Sequence, residues 1–149
     1  MSASRLLNGV VYLPVMTLLL LVGCGSGGYS GGGMSTMPTV AIELMWDAAP
    51  TAGSVAIYQT VLYKFTYPNN NTGNPSAKIV VAAGGNVAAF LCATAMCGPG
   101  QTALDSNPAI TTPGRLSTAP PGPMGTQAVY YVAVHGTIAS SFTIQASAN

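Results

Sequence analysis

Between Thr60 and Tyr67 the side chains alternate, with Tyr63, Phe65 and Tyr67 on one side and Leu62, Lys64 and Thr66 on the other. A period of two is the mark of an extended strand with one face turned inward, because successive Cβ atoms point to opposite sides of the pleat. A helix would repeat its apolar residues every three or four positions. No window beyond the first two dozen residues shows that pattern. Other apolar runs, separated by turn formers, extend the same reading. Residues 40–46 are expected as a first strand, followed by a turn around Pro50 and Gly53, then by further strands over 54–59, 77–83 and 87–94. Residues 68–75, with four Asn and a Gly, read as a loop. Gly84, Gly85 and Asn86 suggest a tight connection, and 127–135 with 140–146 a closing hairpin about Gly136. The stretch 98–125 is rich in Pro, Gly, Ser and Thr and is expected to form long loops with at most short strands.

The expected fold class is therefore all-β: one small β-sandwich with turn-rich connections over residues 39–149. Composition agrees. Seven Tyr and abundant Val, Ile and Thr favour strands, while eleven Pro and eighteen Gly lie mostly between the apolar runs. Only 5% of the chain is charged, yet the wealth of aromatic and β-branched residues sets it apart from disordered chains. A domain of about 110 residues buries roughly 65% of its unfolded surface, enough to fold without a metal.

The first residues carry a different signal. Arg5 precedes an apolar run from Val10 to Val22, and Gly23, Cys24, Gly25 and Ser26 follow. One positive charge, a short apolar core and a small-residue boundary make residues 1–23 a signal peptide. The run is shorter than the roughly 20 apolar residues a spanning helix needs. Leu21-Val22-Gly23-Cys24 resembles the bacterial lipobox, whose cysteine becomes the first mature residue and carries acyl chains in place of a spanning helix. Cys24 is thus the expected lipidation site. A plain secretory signal with a coincidental cysteine, or an uncleaved anchor helix, are the alternatives. Residues 24–38, mostly Gly, Ser, Met and Thr, are expected as a flexible tether.

Past Cys24, Lys64, Lys78 and Arg115 balance Glu43, Asp47 and Asp105. A formally neutral domain lacks the clustered Lys and Arg that nucleic acid demands, so no nucleic-acid partner is expected.

Several segments taken together resemble the bacterial pre-peptidase C-terminal domain, a jelly-roll-like sandwich appended to many secreted proteins. Gly53-Ser-Val-Ala with Leu62-Tyr-Lys-Phe-Thr66 is similar to that family's opening strand pair. Lys78-Ile-Val-Val with Gly85-Asn-Val-Ala-Ala-Phe-Leu91 resembles its central hairpin. Tyr130-Tyr-Val-Ala-Val-His-Gly136 with Ser141-Phe-Thr-Ile-Gln145 resembles its final pair, and the likeness spans residues 52–147. The resemblance implies a non-catalytic accessory module, some relatives binding collagen or polysaccharide. The family's central strand usually carries acidic residues, and some members bind calcium through them. Here Asn86 and Ala88 stand in that stretch and the domain holds three carboxylates, whereas calcium takes six to eight oxygen ligands. Neither a calcium site nor any cofactor is expected.

The remaining residues with chemical potential are few. Cys92 and Cys97, an even pair once Cys24 is assigned to lipid, are expected to form a structural disulfide. Two free thiols or a redox motif are the alternatives, although the spacing differs from Cys-x-x-Cys and no ligands complete a metal set. His135 is the lone histidine. Ser140, Ser141 and Asp105 could serve it only if the fold gathered them, and no nucleophile motif does so. Glu43 and Asp47, four apart on one strand, would stand roughly 13 Å from each other, too far for a glycosidase pair. No catalytic residue is expected. Among the tyrosines, Tyr58, Tyr63, Tyr67, Tyr130 and Tyr131 could face a ligand, with Tyr63, Tyr130 and Tyr131 the chosen candidates, because Tyr stacks well on sugar rings and is favoured at interfaces. Asn70-Asn71-Thr72 fits a glycosylation sequon, of consequence only in a host with that machinery.

The expectation is a cell-envelope lipoprotein, tethered to the outer membrane or cell surface, whose sandwich binds a polysaccharide, a peptide or an envelope protein. Secretion without an anchor is the alternative location. Self-association through uncharged strand edges, which native proteins normally guard with Lys and Pro, is the alternative role.

Overall fold

The computed structural model describes residues 40–70, 73–81 and 85–149. The expected signal peptide, the tether and Cys24 lie outside the described residues, as do Asn71 and Thr72 of the sequon.

Nine strands make two sheets, and no helix occurs among the described residues: β1 (Ile42–Glu43), β2 (Thr51–Val55), β3 (Thr60–Tyr67), β4 (Pro75–Val81), β5 (Val87–Cys92), β6 (Asp105–Ile110), β7 (Gly114–Ser117), β8 (Ala128–Gly136) and β9 (Ser140–Ala148). One sheet has the order β1-β3-β8-β5-β6 and the other β2-β9-β4-β7. The expected all-β sandwich is what the chain forms. Except for the parallel pair β1–β3, the named strands pair antiparallel.

The alternation in β3 is realised as a two-faced strand. Tyr63, Phe65 and Tyr67 point inward with Val87, Ala89 and Leu91 of β5 and Tyr130, Val132 and Val134 of β8. They meet Val55, Ala77, Ile79, Leu116, Phe142, Ile144 and Ala146 of the opposing sheet. A fully buried Val, Leu, Ile or Phe contributes about 1.5–3 kcal/mol by leaving water, so this interior holds the two sheets together. Its aromatic members add directed contacts. Phe65 stacks between Trp46 and Tyr130 at centroid distances of 5.8 and 5.7 Å, and Tyr63 meets Phe142 edge-on at 6.0 Å. At Gly53 the sheets approach so closely that a Cβ would strike the Tyr63 hydroxyl and lie 2.7 Å from the Phe142 ring.

Connectivity differs from the expected hairpins. β2 and β3, β4 and β5, and β8 and β9 each lie in different sheets. What reads locally as a turn carries the chain across the sandwich instead. Only the connection from β5 to β6 stays within one sheet. Gly136 is the clearest case: it ends β8, and a Cβ there would overlap the Ala56 carbonyl oxygen. Glycine is needed for that close approach of two crossover loops, not for a hairpin turn.

Boundaries shift for identifiable reasons. The expected strand over 40–46 shrinks to Ile42–Glu43, then the chain crosses to the second sheet, where Trp46 bridges Ala146. Residues 51–53, expected in a turn, belong to β2 and pair with Ile144, Thr143 and Phe142. The stretch 98–125 yields two short strands, β6 and β7, both at sheet edges. β6 holds Pro108, which lacks an N–H and is tolerated at an edge.

Candidate binding surface

The three candidate tyrosines part company in the structure. Tyr63 is 1% exposed and Tyr130 is 4% exposed, both within the core between the sheets. Their rings pack against Phe142 and Phe65, so neither is available to a ligand in this packing. Burial pushes the Tyr63 phenol above its usual pKa, and burial followed by the nearby Tyr67 does the same for Tyr130. Tyr67 is also buried and donates its hydroxyl to the Gly73 carbonyl at 2.7 Å. Tyr131, next in the chain to Tyr130, takes the other side of β8 and is half-buried on the outer face of the five-stranded sheet.

That outer face is built by register. Glu43 of β1 lies beside Lys64 of β3, Lys64 opposite Tyr131 of β8, and Tyr131 opposite Cys92 of β5. Directly opposed residues on one face stand within about 5.5 Å, so the four form one row across the sheet. Lys64 Nζ and Glu43 Oε2 are 3.0 Å apart. The hydrogen bond from Lys64 to Glu43, then the carboxylate's charge, raise the Lys64 pKa, and the Tyr131 phenol adds a smaller push the same way.

At the other end of the row, Cys92 and Cys97 are joined by a disulfide. Both sulfur-bearing residues are fully buried in a small second cluster with Leu62 and Ala133, against which Phe90, Ala103 and Tyr131 pack. The crosslinked segment after β5 therefore folds back over the sheet and covers one side of Tyr131. This explains why β5 is buried on both faces, which a one-sided alternation does not anticipate. A tyrosine braced by a disulfide cluster and flanked by a neutralised ion pair offers a flat apolar ring beside a donor and an acceptor. Such a patch can stack on a sugar ring or a peptide group and hydrogen-bond its polar edge.

The other polar groups serve the scaffold. Asp105 accepts the Ser106 and Ser117 amides, each at 2.8 Å, lacing the β6 edge of one sheet to the β7 edge of the other. Asn69 donates to the Gly122 and Pro123 carbonyls at 3.1 and 2.6 Å, and its own carbonyl accepts the Gly125 amide. Asp47 sits in a left-handed turn with φ 52°. Thr60 Oγ1 and His135 Nδ1 are 3.0 Å apart. Ser140 Oγ accepts the Asn86 amide at 3.0 Å and lies 3.1 Å from the Asn86 and Ile138 carbonyls. His135 pairs across from Ala88, whereas Asp105 stands opposite Leu91 towards the other end of β5. The fold does not gather a serine, a histidine and a carboxylate, nor does it pair Glu43 with Asp47. No group of three or more metal-ligating side chains occurs among the described residues.

The Glu43–Lys64 pair and its alignment with Tyr131 were not anticipated from sequence. They depend on a parallel β1–β3 pairing between segments about twenty residues apart, for which the chain carries no local signal.

No model of a known protein family matches the chain, and no curated protein matches it. Among solved structures, the sandwich is similar to the pre-peptidase C-terminal domain of a collagenase from Bacillus anthracis. The match has a TM-score of 0.51 at 14% identity and covers 73% of this chain and 96% of that domain. At that identity the likeness speaks for the fold alone, a small β-sandwich.

Proposed function

We propose that the chain is a lipid-anchored, non-catalytic module of the cell envelope that binds a neutral polysaccharide or an exposed peptide segment of an envelope protein. Cys24 carries the acyl chains in this reading. Tyr131 supplies the stacking surface, and Lys64 and Glu43 supply a donor and an acceptor beside it. The observation that carries the reading is the row Glu43–Lys64–Tyr131–Cys92. Of the three chosen tyrosines, Tyr131 alone keeps an accessible ring, and the disulfide cluster braces it. Three of the four sheet edges favour this role over self-assembly. β1 pairs over only two residues, β6 contains Pro108, and β7 is four residues long with Arg115 within it, whereas the fourth edge, β2, has five residues with neither charge nor Pro. Short, interrupted or charged edges resist strand-to-strand pairing.

Retention on insoluble cell-wall glycan and on plain polysaccharide beads tests the reading. Retention of the wild-type protein that falls about tenfold in Tyr131→Ala, the scale of one lost aromatic contact, is the expected result. Equal retention of both proteins, or none on any polymer or envelope extract, overturns it. Light scattering that rises with protein concentration in the absence of ligand would transfer support to assembly.

A further inference from the structure

β2 and β9 are neighbours in one sheet, and β3 and β8 are neighbours in the other. The crossovers β2→β3 (residues 56–59) and β8→β9 (residues 137–139) therefore run side by side at one end of the sandwich. They are bonded together there, Tyr58 N–H to the Gly136 carbonyl at 2.8 Å and Gly136 N–H to the Gln59 carbonyl at 3.0 Å. β4 ends and β5 begins towards this same end, and the β6→β7 crossover leaves β6 there.

The large side chains exposed there are apolar, set among uncharged polar ones, the exposed Gln59, Thr111 and Thr112. Ile57 is 48% exposed, Tyr58 69% and Ile138 43%. Among the described residues of these connections, 56–59, 85–86, 111–113 and 137–139, none carries a charged side chain. Glu43 and Lys64 stand farther along the strands and neutralise each other. Lys78 lies opposite Gln145 in the middle of β9, and Arg115, opposite Lys78, reaches Asn149 near the other end.

The chain also arrives at this end. β1 runs parallel to β3 with Ile42 beside Tyr63, so Val40 stands beside the start of β3, next to the crossover that bears Tyr58. Val40 is itself 78% exposed. Residues 25–39 separate it from Cys24. A segment of that length reaches at most about 50 Å. A chain anchored at Cys24 would thus keep this end within that distance of its own bilayer.

We infer that the end bearing Val40, Ile57, Tyr58 and Ile138 docks on a lipid surface, a second and weaker membrane contact that stands the sandwich upright on its anchor. The inference rests on the lipoprotein reading for its orientation, while the docking surface itself belongs to the folded domain. Apolar side chains with an interfacial tyrosine and no charge to desolvate suit the boundary between headgroups and acyl chains. Upright docking leaves the Tyr131 face at the side and the longer loops of the opposite end pointing away from the membrane.

The test uses Tyr58→Trp in the full chain, purified from its host and mixed with or reconstituted into phosphatidylethanolamine–phosphatidylglycerol vesicles with brominated acyl chains. Wild-type Trp46, packed against the core, is the reference. The emission added by Trp at position 58 should lose roughly half or more of its intensity, as for a side chain seated 5–10 Å into the interface. Ile57→Ser with Ile138→Ser should restore most of it. Quenching no greater than that of Trp46 overturns the inference, whether the protein is anchored or added to vesicles. Intact mass of the same preparation reads the anchor separately. An acylated protein with an unquenched tip retains the lipoprotein reading and loses this one; an unacylated protein with a quenched tip does the reverse.

Discussion

Replacing Gly53 by Ala probes the distance between the sheets. The added methyl group would overlap the Tyr63 hydroxyl and approach two Phe142 ring atoms at 2.7 and 2.8 Å. Neither ring can swing away freely, since Tyr63 is 1% and Phe142 3% exposed and the two meet edge-on. Overpacking of a core by one methyl group costs about 1–3 kcal/mol, and disturbing the aromatic pair costs a further ~0.5–1.5 kcal/mol. A loss of about 2–3 kcal/mol is therefore expected, or roughly 10 °C in Tm for a domain of this size. Urea unfolding followed by Trp46 fluorescence measures it. Tyr63→Phe removes the atom nearest the new methyl group, so it should cost less than ~1 kcal/mol alone and reduce the Gly53→Ala penalty by about 1 kcal/mol when combined. A Gly53→Ala midpoint within ~0.5 kcal/mol of wild type would refute the packing argument. An unchanged penalty in the Tyr63→Phe background would refute the assignment of the clash to the hydroxyl.

Three other outcomes follow from the geometry. Cys92→Ala with Cys97→Ala should cost about 2–4 kcal/mol, from loop closure and lost packing, and should loosen Tyr131, seen as faster amide exchange across β5 and β8. Asn69→Ala removes two side-chain hydrogen bonds and puts Ala, which tolerates the left-handed region less well than Asn, at φ 46°, so stability should drop about 2–3 kcal/mol and protease should cut within 118–127. Tyr63 and Tyr130 hold their protons above the ordinary tyrosine pKa when folded, so the unfolded chain ionises first as pH rises. Their contribution is complete below about pH 10 and is lost as pH climbs from there through the folded pKa values. Stability should fall along that alkaline limb, and the fall should be shallower in Tyr130→Phe.

The strands of the sandwich were largely legible because they are two-faced. β3 follows its alternation from Thr60 to Tyr67, and β8 and β9 fall close to their expected positions for the same reason. The topology was not legible. Gly84, Gly85, Asn86 and Gly136 announce changes of direction, but a turn signal does not encode whether the next strand joins the same sheet or the opposite one. β6 and β7 hid in the loop-like stretch because edge strands need no inward alternation, and Pro108 argued against a strand that its edge position permits. At the candidate surface, composition identified tyrosines without saying which side of a strand each would take. Tyr130 and Tyr131 are neighbours with opposite fates, decided by which parity of β8 meets Phe65. The disulfide was legible from an even pair of cysteines, while its packing against Leu62 and Ala133 required the sheet register.

The intact mass of the protein extracted from its host tests most directly whether a lipid anchor and a disulfide-braced sandwich are joined in one molecule. The predicted mass begins at Cys24, includes acyl chains, and rises by two hydrogens when the Cys92–Cys97 bridge is reduced. A mass for a chain cleaved elsewhere, or one beginning at Cys24 without acyl chains, would contradict the membrane-tethered module and leave a secreted sandwich in its place.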